Sequence, residues 1–509
     1  MNEWVERDLK HNWHPYTQMK DCRRLPPLLI ERARGLKLYD ADGRWYYDTI
    51  ASWWCNVHGH NHPRIREAVR RQVGAVDHVL FAGFTHKPAI LLAEKLTAIA
   101  PRGLTRVFFS DNGSTAVEVA LKMSFQYWQN VGRGGKREFI ALDHGYHGDT
   151  IGAMSVSGPS LFNERFASLL FPAHKVPSPY CYRCPMCKAE AVAAHGGRGR
   201  VAAGRSITAL PAPPRFSPGR PATTTEKCAS PPACAFACLG PLEAVLKKRA
   251  NKIAAIILEP LVMAAGGMII YPPAYLRRVA ELAREHGVHL ILDEVATGFG
   301  RTGTMFACEQ ARVRPDFLCL SKGLTSGYLP LGATLTTAEV YRAFYADYAE
   351  RKTFYHGHTY TANPIACAAA LASLRVFEEE GTLARVRGLL PAFHAGMERF
   401  RSLPLVGDVR YLGLIGAVEL VKDRATKEPF GLRERIGLAI YREGLKRGLV
   451  LRPLGHIIYL FLPLCVKERE LDTILAATYD VVQAVVQRRG ISRTLSSTSR
   501  GERGKRHQA

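Results

Sequence analysis

Short apolar runs alternate with amphipathic helical patterns through the middle of the chain. Runs that are apolar throughout are typical of strands buried on both faces, and their alternation with helices is typical of parallel sheets. The pattern therefore predicts an α/β fold with a mostly parallel sheet flanked by helices. The predicted strands are 106–110, 253–258, 288–292 and 317–320, and the predicted helices are 116–128 and 275–286.

A glycine-rich stretch matches a dinucleotide-binding fingerprint only in its letters. Residues 298–303 read GFGRTG. In a true fingerprint the glycines follow a strand directly and open a crossover helix, whereas here Asp293 and Glu294 intervene. Too few residues remain before Phe317 for a full crossover, and Asp316 precedes the next strand instead of ending it. We interpret 298–303 as a tight glycine loop.

Asp293 and Lys322 follow two predicted strands. The carboxyl ends of parallel strands form a common ligand-binding edge, so both side chains could face one crevice. A desolvated lysine can form a Schiff base with a carbonyl, and a carboxylate can keep a pyridinium nitrogen protonated. The pair alone is equally compatible with an ordinary ion pair at the edge of a sheet.

Three further elements add to this pair. Gly113, Ser114 and Thr115 lie between a strand and a helix, where free N–H groups suit a phosphate, although a plain helix cap would look the same. Tyr146 could stack on an aromatic ring or be a core tyrosine, and Thr359 could bind phosphate or be a loop hydroxyl. Together these residues describe a pyridoxal phosphate pocket.

The motifs of this chain resemble those of the class III aminotransferases, which are fold type I pyridoxal-phosphate enzymes. Their combination more narrowly resembles the branch of that family that acts in biotin synthesis. The resemblance covers about residues 12–487 apart from an insertion. It rests on LILDEVATGFGRTG (290–303) with Lys322, WHPYT (13–17), SWW (52–54), GHNHP (59–63), FSDNGSTAVEVALK (109–122), GYHGDTIGAMSV (145–156), LPLGATLTT (329–337) and VLRP (450–453).

The resemblance implies a role for each matching residue. Lys322, Asp293 and Tyr146 are the catalytic residues it implies: the lysine holds the cofactor and moves a proton, the aspartate pairs with the pyridine nitrogen, and the tyrosine packs at the cofactor. It implies a homodimer in which the partner subunit contributes to the phosphate site. The implied cofactor-binding residues are Gly113, Ser114, Tyr146, Asp293, Lys322, His358 and Thr359, and the implied substrate-binding residues are Tyr16, Trp53, Tyr146, Lys322, Gly357, Arg452 and Tyr459.

The resemblance further implies a two-step transamination from S-adenosylmethionine to 8-amino-7-oxononanoate. Arg452 fits this reaction, because a guanidinium binds a carboxylate with two parallel hydrogen bonds. Two departures concern substrate geometry: His358 stands where proline is common, and Met263-Ala264 stand where Gln-Gly is usual. The alternatives are another class III ω-aminotransferase, a lysine-dependent variant of the same step, and a metal- or polyanion-binding protein on an inactive scaffold.

The same resemblance and the composition predict how the chain is divided. A large cofactor-binding domain spans 61–345, and a smaller α/β domain spans 346–487 with a contribution from 1–60. An insertion at 181–240 contains Cys181, Cys184 and Cys187 at a metal-like spacing, but neither a histidine pair nor a clean second pair follows. We expect no metal there, no disulfides, and disorder at 189–225 and in the basic tail 488–509.

Charge and hydropathy exclude other classes. The chain has 69 Lys and Arg against 45 Asp and Glu, a net charge of +24. Nearly half of this excess lies in 188–227 and 487–509, so we expect no specific nucleic-acid partner. The most apolar stretch, 252–276, is interrupted by Glu259 and three prolines, and the N-terminus has no apolar run. We expect a cytoplasmic enzyme that does not enter a membrane.

Overall fold

The computed structural model describes residues 2–184 and 236–503, with side chains described up to residue 489. Strands and helices alternate through most of these residues. The strands are β1 Ile30–Arg34, β2 Lys37–Asp40, β3 Trp45–Tyr47, β4 Leu104–Ser110, β5 Glu138–Leu142, β6 His174–Val176, β7 Ile253–Leu258, β8 Val262–Met263, β9 Ile269–Ile270, β10 His289–Asp293, β11 Phe317–Leu320, β12 Gly332–Thr337, β13 Val406–Leu412, β14 Ile415–Asp423, β15 Glu428–Pro429 and β16 Ile457–Phe461.

The helices cover the sheets and lead into the loops of the site. The longer ones are Glu3–His11, Pro63–Val73, Lys87–Ile99, Gly113–Asn130, Ile151–Ser155, Gly240–Arg249, Pro273–Glu285, Cys308–Ala311, Ala338–Arg342, Pro364–Glu379, Thr382–Glu398, Ile436–Lys446 and Glu468–Arg503. Short 3-10 turns occur at Met19–Arg23, Glu164–Leu169, Cys181–Arg183, Ala237–Leu239, Lys322–Thr325, Tyr348–Glu350, Arg399–Ser402 and Leu432–Glu434.

A seven-stranded sheet forms the centre of the molecule. Its strand order is β4-β12-β11-β10-β7-β5-β6, and only β12 runs antiparallel to its neighbours. All residues of β7, β10 and β11 are buried, as expected for strands covered on both faces. The predicted α/β class, the mostly parallel sheet and the predicted strands and helices are confirmed, with ends shifted by only a few residues.

The helix Gly113–Asn130 begins at the carboxyl edge of this sheet. Asn112 caps it by accepting a hydrogen bond from the Thr115 N–H at 3.0 Å, and Thr115 Oγ1 accepts one from the Asn112 N–H at 3.1 Å. Buried apolar residues along the helix pack against β11 and β12. The cap and the packing together fix the helix N-terminus beside the ends of β10 and β11.

The N-terminal segment packs against the C-terminal part of the chain. The Tyr47 N–H donates to the Gly448 carbonyl at 2.8 Å, and the Val450 N–H donates to the Tyr47 carbonyl at 3.0 Å. Strands β13, β14, β15 and β16 form a separate antiparallel sheet in this region. These contacts agree with a contribution of 1–60 to the smaller domain, while the boundaries at 60, 345 and 487 stay predictions.

The last helix reaches into the predicted tail. The helix Glu468–Arg503 includes residues 488–503, and the disorder expected for 488–509 stays a prediction. Arg488 donates to Glu443 Oε2 at 2.9 Å and Arg489 donates to the Glu434 carbonyl at 3.0 Å, which anchors the helix where the tail begins. A helix that is already nucleated extends at low cost. The predicted disorder at 189–225 lies outside the described residues.

No helix among the described residues is both long enough and apolar enough to cross a membrane.

Candidate functional site

Asp293 and Lys322 lie at the same edge of the central sheet. Asp293 is the last residue of β10 and is paired in register with Cys319 of the parallel strand β11. Lys322 follows β11 and begins a short 3-10 turn. The two side chains are near enough for the charge of Asp293 to act on the pKa of Lys322, which it raises.

Asp293 is buried and held by two donors. Its side chain is 4% exposed, its Oδ1 accepts from the Val295 N–H at 3.0 Å, and its Oδ2 lies 2.8 Å from His147 Nδ1. His147 is itself 3% exposed, and its Nε2 has no partner among the described residues. The sequence analysis did not assign His147, although it lies next to Tyr146 in the same motif.

Lys322 lies in an environment that favours its neutral form. Desolvation lowers the pKa of its ammonium group, and the carboxyls of Asp293 and Glu259 oppose only part of that effect. Its Nζ lies 5.2 Å from the ring centroid of Trp54. A lysine with a lowered pKa is a better nucleophile toward a carbonyl at neutral pH.

Glu259 is a second buried carboxyl in this cluster. Burial, with the nearby charge of Asp293, raises its pKa to about 8. Its Oε1 accepts from the Tyr146 N–H at 3.1 Å and its Oε2 from the Ala264 N–H at 2.9 Å. Glu259 therefore ties the Tyr146 loop to the segment that carries the departure at Met263-Ala264. The departure at Met263-Ala264 was visible in the sequence, whereas no sequence pattern indicated a role for the carboxyl of Glu259.

Gly113 and Ser114, the predicted phosphate-binding residues, lie at the N-terminus of the helix Gly113–Asn130. None of the hydrogen bonds among the described residues uses their two N–H groups, as is usual for the first turn of a helix. A Cβ on Gly113 would lie 2.5 Å from Val295 Cγ1, so only glycine fits between the helix and the Asp293 loop. The first turn of this helix therefore packs directly against the loop that follows Asp293.

Tyr146 belongs to a polar group at the mouth of this cluster. Its hydroxyl donates to Asp149 Oδ1 at 3.0 Å and lies 3.2 Å from the hydroxyl of Tyr16, which also donates to Asp149. Burial raises the pKa of Tyr146, and burial together with Asp149 raises that of Tyr16 to about 12. Both phenols therefore stay neutral donors across the physiological range.

Trp53 connects Tyr16 to Arg452. Its ring meets the Tyr16 ring edge-on with centroids 5.6 Å apart, and the Arg452 guanidinium lies 4.5 Å from its centroid. No acidic group of the described residues pairs with Arg452. Tyr459 is buried on β16 with its centroid 6.0 Å from that of Trp54. Tyr16 and Arg452 also line a cavity of about 670 Å³, so the structure brings four predicted substrate residues to one region.

Comparison with known proteins gives this arrangement a family. The family model "Aminotransferase class-III" matches residues 19–203 and 208–482. The chain belongs to the class III aminotransferases. The Geobacter sulfurreducens adenosylmethionine-8-amino-7-oxononanoate aminotransferase is 44% identical over 472 residues, covering 93% of this chain and 95% of that one. The protein of the same name from Aquifex aeolicus is 45% identical over 468 residues, covering 92% and 94%.

Solved structures agree with the family and its fold. The adenosylmethionine-8-amino-7-oxononanoate aminotransferase of Methanocaldococcus jannaschii superposes with a TM-score of 0.83 at 38% identity, covering 95% of this chain and 99% of that one. An ω-transaminase from Pseudomonas jessenii, solved in complex with PMP, has a TM-score of 0.82 at 31% identity, covering 96% and 99%. The predicted fold type I architecture is confirmed.

Class III aminotransferases use pyridoxal phosphate, and the residues of this chain fit that group. A phosphate needs free donors, which the N–H groups of Gly113 and Ser114 supply. A pyridine nitrogen needs a buried acidic partner, which Asp293 supplies. A carbonyl needs an amine of lowered pKa, which Lys322 supplies.

The loop that carries Gly357, His358 and Thr359 lies apart from these residues. Gly357 and Thr359 are exposed, and none of the contacts among the described residues joins this loop to Asp293 or Lys322. The His358 N–H donates to Thr361 Oγ1 at 3.2 Å, a hydrogen bond that proline could not make. His358, in place of proline, therefore stabilises the fold of its own loop.

The insertion cysteines are only partly described. Cys184 is buried and has a free thiol, whereas Cys181 takes part in a disulfide bond, so the prediction of no disulfides is wrong there. A sulfur in a disulfide cannot act as a thiolate ligand. Cys187 lies outside the described residues. Among the part of the chain that the structure describes, no group of three or more metal-binding side chains comes together.

Proposed function

We propose that this aminotransferase transfers the amino group of S-adenosylmethionine to 8-amino-7-oxononanoate, giving 7,8-diaminononanoate for biotin synthesis. The proposal rests on the relatives named for this reaction, which match nearly the whole chain at 44% and 45% identity. It rests equally on one feature of the site, the unpaired guanidinium of Arg452 beside a cavity that can hold a small molecule.

Arg452 distinguishes a carboxylate substrate from a simple amine. A guanidinium without an acidic partner in the described part of the chain is available for a ligand carboxylate, which it binds in a bidentate manner. The ring of Trp53 keeps the guanidinium in place by a cation–π contact. A cavity of about 670 Å³ lies within the usual range for small-molecule sites and has an apolar wall that includes Ile50, Ile436 and Val450.

The chain's own residues can carry out the proton steps. The cofactor, when bound, supplies an electron sink for the carbon that loses its proton. Lys322, with its lowered pKa, is suited to take that proton and return it to a neighbouring atom. Asp293, held by His147 and Val295, would keep the proton on the pyridine nitrogen. Tyr146, tied to Glu259, would limit the movement of the ring and of the bound substrate.

We further propose a homodimer in which Thr359 of one subunit completes the phosphate site of the other. Two observations support it. Gly357 and Thr359 are exposed and make no hydrogen bond with Asp293 or Lys322 among the described residues, and large aromatic side chains nearby are exposed, including Tyr355 at 70% and Tyr360 at 62%. Exposed aromatic groups of this size are typical of a surface that a partner covers.

The ω-transaminase reaction is the second candidate, because structures of that class superpose as closely as the relatives named for the biotin step. The two candidates differ in the need for a carboxylate acceptor. A reaction in which neither the amino donor nor the acceptor carries a carboxylate would gain nothing from Arg452.

The deciding experiment follows the visible spectrum of the pyridoxal-phosphate form after addition of one amino donor at a time. We expect the visible absorption band of the pyridoxal-phosphate form to bleach with S-adenosylmethionine and to return with 8-amino-7-oxononanoate, with the diamine found by mass spectrometry. Bleaching by lysine alone would replace the donor. A spectrum that responds to neither donor but bleaches with a simple amine would favour the ω-transaminase.

A further inference from the structure

The backbone between β3 and the helix Pro63–Val73 contains a left-handed turn made of ordinary residues. Ala51, Ser52, Trp53 and Trp54 have φ values of 48°, 45°, 76° and 72°. This region favours glycine, and each other residue placed there costs about 1–2 kcal/mol. Four in succession persist only where the surroundings hold them, and such strain is concentrated at functional sites.

Asp48 holds the amide side of this turn. It is fully buried, its Oδ1 accepts from the Ser52 N–H at 2.9 Å, and its Oδ2 accepts from the Ser52 hydroxyl at 2.6 Å. His60 Nε2 lies 2.9 Å from the same Oδ2. Burial alone would raise the pKa of Asp48, but the hydrogen bonds from His60 and Ser52 outweigh it and keep the pKa below its ordinary value. The acceptor is therefore an anion.

Arg301 holds the carbonyl side. It is 1% exposed, and its Nη2 donates to the carbonyls of Trp54 at 3.1 Å and Asn56 at 3.0 Å, while its Nη1 donates to the Leu462 carbonyl at 2.6 Å. Burial lowers the pKa of Arg301 to about 10, which leaves it charged at neutral pH. Arg301 comes from the glycine loop 298–303, where Gly300 and Gly303 have φ values of 83° and 94°. The loop 298–303, whose sequence resembles a dinucleotide-binding fingerprint, therefore supplies the arginine that binds these carbonyls.

The turn presents two tryptophans in different directions. Trp53 meets Tyr16 and lies under the Arg452 guanidinium. Trp54 is buried, with Lys322 Nζ 5.2 Å from its centroid and the Tyr459 ring 6.0 Å away. One short segment therefore touches both the proposed carboxylate-binding residue and the proposed catalytic residue.

We propose that Asp48 and Arg301 are positioning residues that clamp this left-handed turn from its two ends and so fix the distance between the Arg452 carboxylate site and Lys322. Neither residue needs to touch the substrate. The identity of that substrate rests on the proposed function, whereas the clamp itself does not. A shift of about 1 Å in such a support can cost roughly 100-fold in rate.

The first test replaces Arg301 with lysine, which keeps the charge and loses the fork that reaches two carbonyls. We expect kcat/KM for 8-amino-7-oxononanoate to fall roughly 10–100-fold, mostly through KM, and the spectral response to S-adenosylmethionine, which also carries a carboxylate, to weaken in the same direction. The Asp48→Asn variant should show the same fall in kcat/KM for 8-amino-7-oxononanoate. The matched control is Asp316→Asn, since Asp316 also accepts a backbone N–H, from Leu290 at 2.7 Å, and lies away from the turn.

A second variant keeps the test decisive if the first two fail to fold. Ser52→Gly removes the hydroxyl held by Asp48 and relieves a positive φ, so it should leave the melting temperature within a few degrees. Under the proposal KM still rises, because the turn is less restrained. An unchanged KM in a folded Ser52→Gly protein, or in a folded Arg301→Lys protein, would overturn the clamp.

A substrate-free measurement separates the clamp from the proposed function. The near-ultraviolet circular dichroism contributed by Trp53, identified as the part lost in Trp53→Phe, should weaken in Arg301→Lys and in Ser52→Gly but not in Asp316→Asn. An unaltered Trp53 signal in both clamp variants contradicts the inference. A wild-type protein inactive with 8-amino-7-oxononanoate contradicts the proposed function only, and the tryptophan signal then still decides on the clamp.

Discussion

The two sides of the candidate site are built in different ways. On one side, Asp293 and Lys322 extend from adjacent parallel strands, and their positions follow from the register of β10 and β11. On the other side, Trp53 and Arg452 come from loops that are far apart in sequence and meet through a cation–π contact. The sheet fixes the first pair, and buried charges at Asp48 and Arg301 fix the surroundings of the second.

This difference separates chemistry from specificity. Lys322 and Asp293, the groups proposed to act on protons, lie where hydrogen-bonded strands permit little movement, as precise proton transfer requires. Groups that recognise the substrate sit on connecting segments, which can change without disturbing the sheet. The ω-transaminase from Pseudomonas jessenii shares the fold at 31% identity, which agrees with a constant scaffold and a variable substrate side.

On the side of the site that the sheet holds, the largest loss of activity should follow from removing the amine of Lys322. Replacing Lys322 with alanine should lower turnover by about 10⁴-fold or more, because it removes the amine that is proposed to take and return the proton. Product formation and the visible spectrum would measure the loss. The exposed Lys252, replaced in the same way, serves as the control. Residual turnover above one per cent in the Lys322→Ala protein would remove this lysine from the mechanism.

A smaller loss should follow from neutralising Asp293 without changing its shape. Asp293→Asn leaves the size of the side chain and removes the charge beside His147, so we expect kcat to fall roughly 10²–10⁴-fold. Stopped-flow spectroscopy of the donor half-reaction would locate the loss in the proton-transfer step. An unchanged rate for that half-reaction would show that the carboxylate serves only to hold its loop.

The loop-held side should respond differently. Arg452→Met removes the guanidinium and keeps the length, so KM for 8-amino-7-oxononanoate should rise about 10–100-fold, a loss of roughly 1.5–3 kcal/mol for a hydrogen-bonded charge. S-adenosylmethionine also carries a carboxylate, so its effect on the visible spectrum should weaken in the same direction, whereas a simple amine should act as it does on the unchanged protein. Arg375→Met, an exposed arginine on the helix Pro364–Glu379, is the comparison. An unchanged KM for 8-amino-7-oxononanoate would remove Arg452 from carboxylate binding.

Glu259 should affect the pH dependence of stability and not a step of the reaction. Its pKa of about 8 in the folded protein lies above the ordinary 4.5, so the folded state binds the proton more tightly. The stabilisation is therefore fully present below pH 4.5 and is lost as the pH rises toward 8, with a slope of about 1.4 kcal/mol per pH unit relative to Glu259→Gln. Denaturant unfolding of both proteins at several pH values measures this slope. If the free energy of unfolding changed with pH in the same way in both proteins, Glu259 would not be the group with the raised pKa.

The sequence predicts the sheet-held side almost completely. Apolar runs identify β7, β10 and β11, and the rule that ligands bind at strand ends then brings Asp293 and Lys322 together. Trp53 and Arg452 required a resemblance to known proteins, because no local pattern relates segments that are hundreds of residues apart.

Other features could not be predicted from the sequence at all. The left-handed conformation at Ala51–Trp54 contradicts the preference of each of its residues and depends on Asp48 and Arg301, which meet it only in the folded chain. His147 and Glu259 carried no distinctive spacing. The tail was predicted from its composition, and composition does not reveal that the preceding helix anchored by Arg488 would continue.

The antiparallel strand β12 has a consequence for how the site opens. Because β12 runs back beside β11, the segment that carries Lys322 leaves the sheet and returns to it at one edge, with Leu320 paired to Ala333. It is tied at both ends to strands in the middle of the seven-stranded sheet. The amide hydrogens that join β11 to β12 can exchange only when these strands separate, so they should exchange with solvent on the timescale of global unfolding.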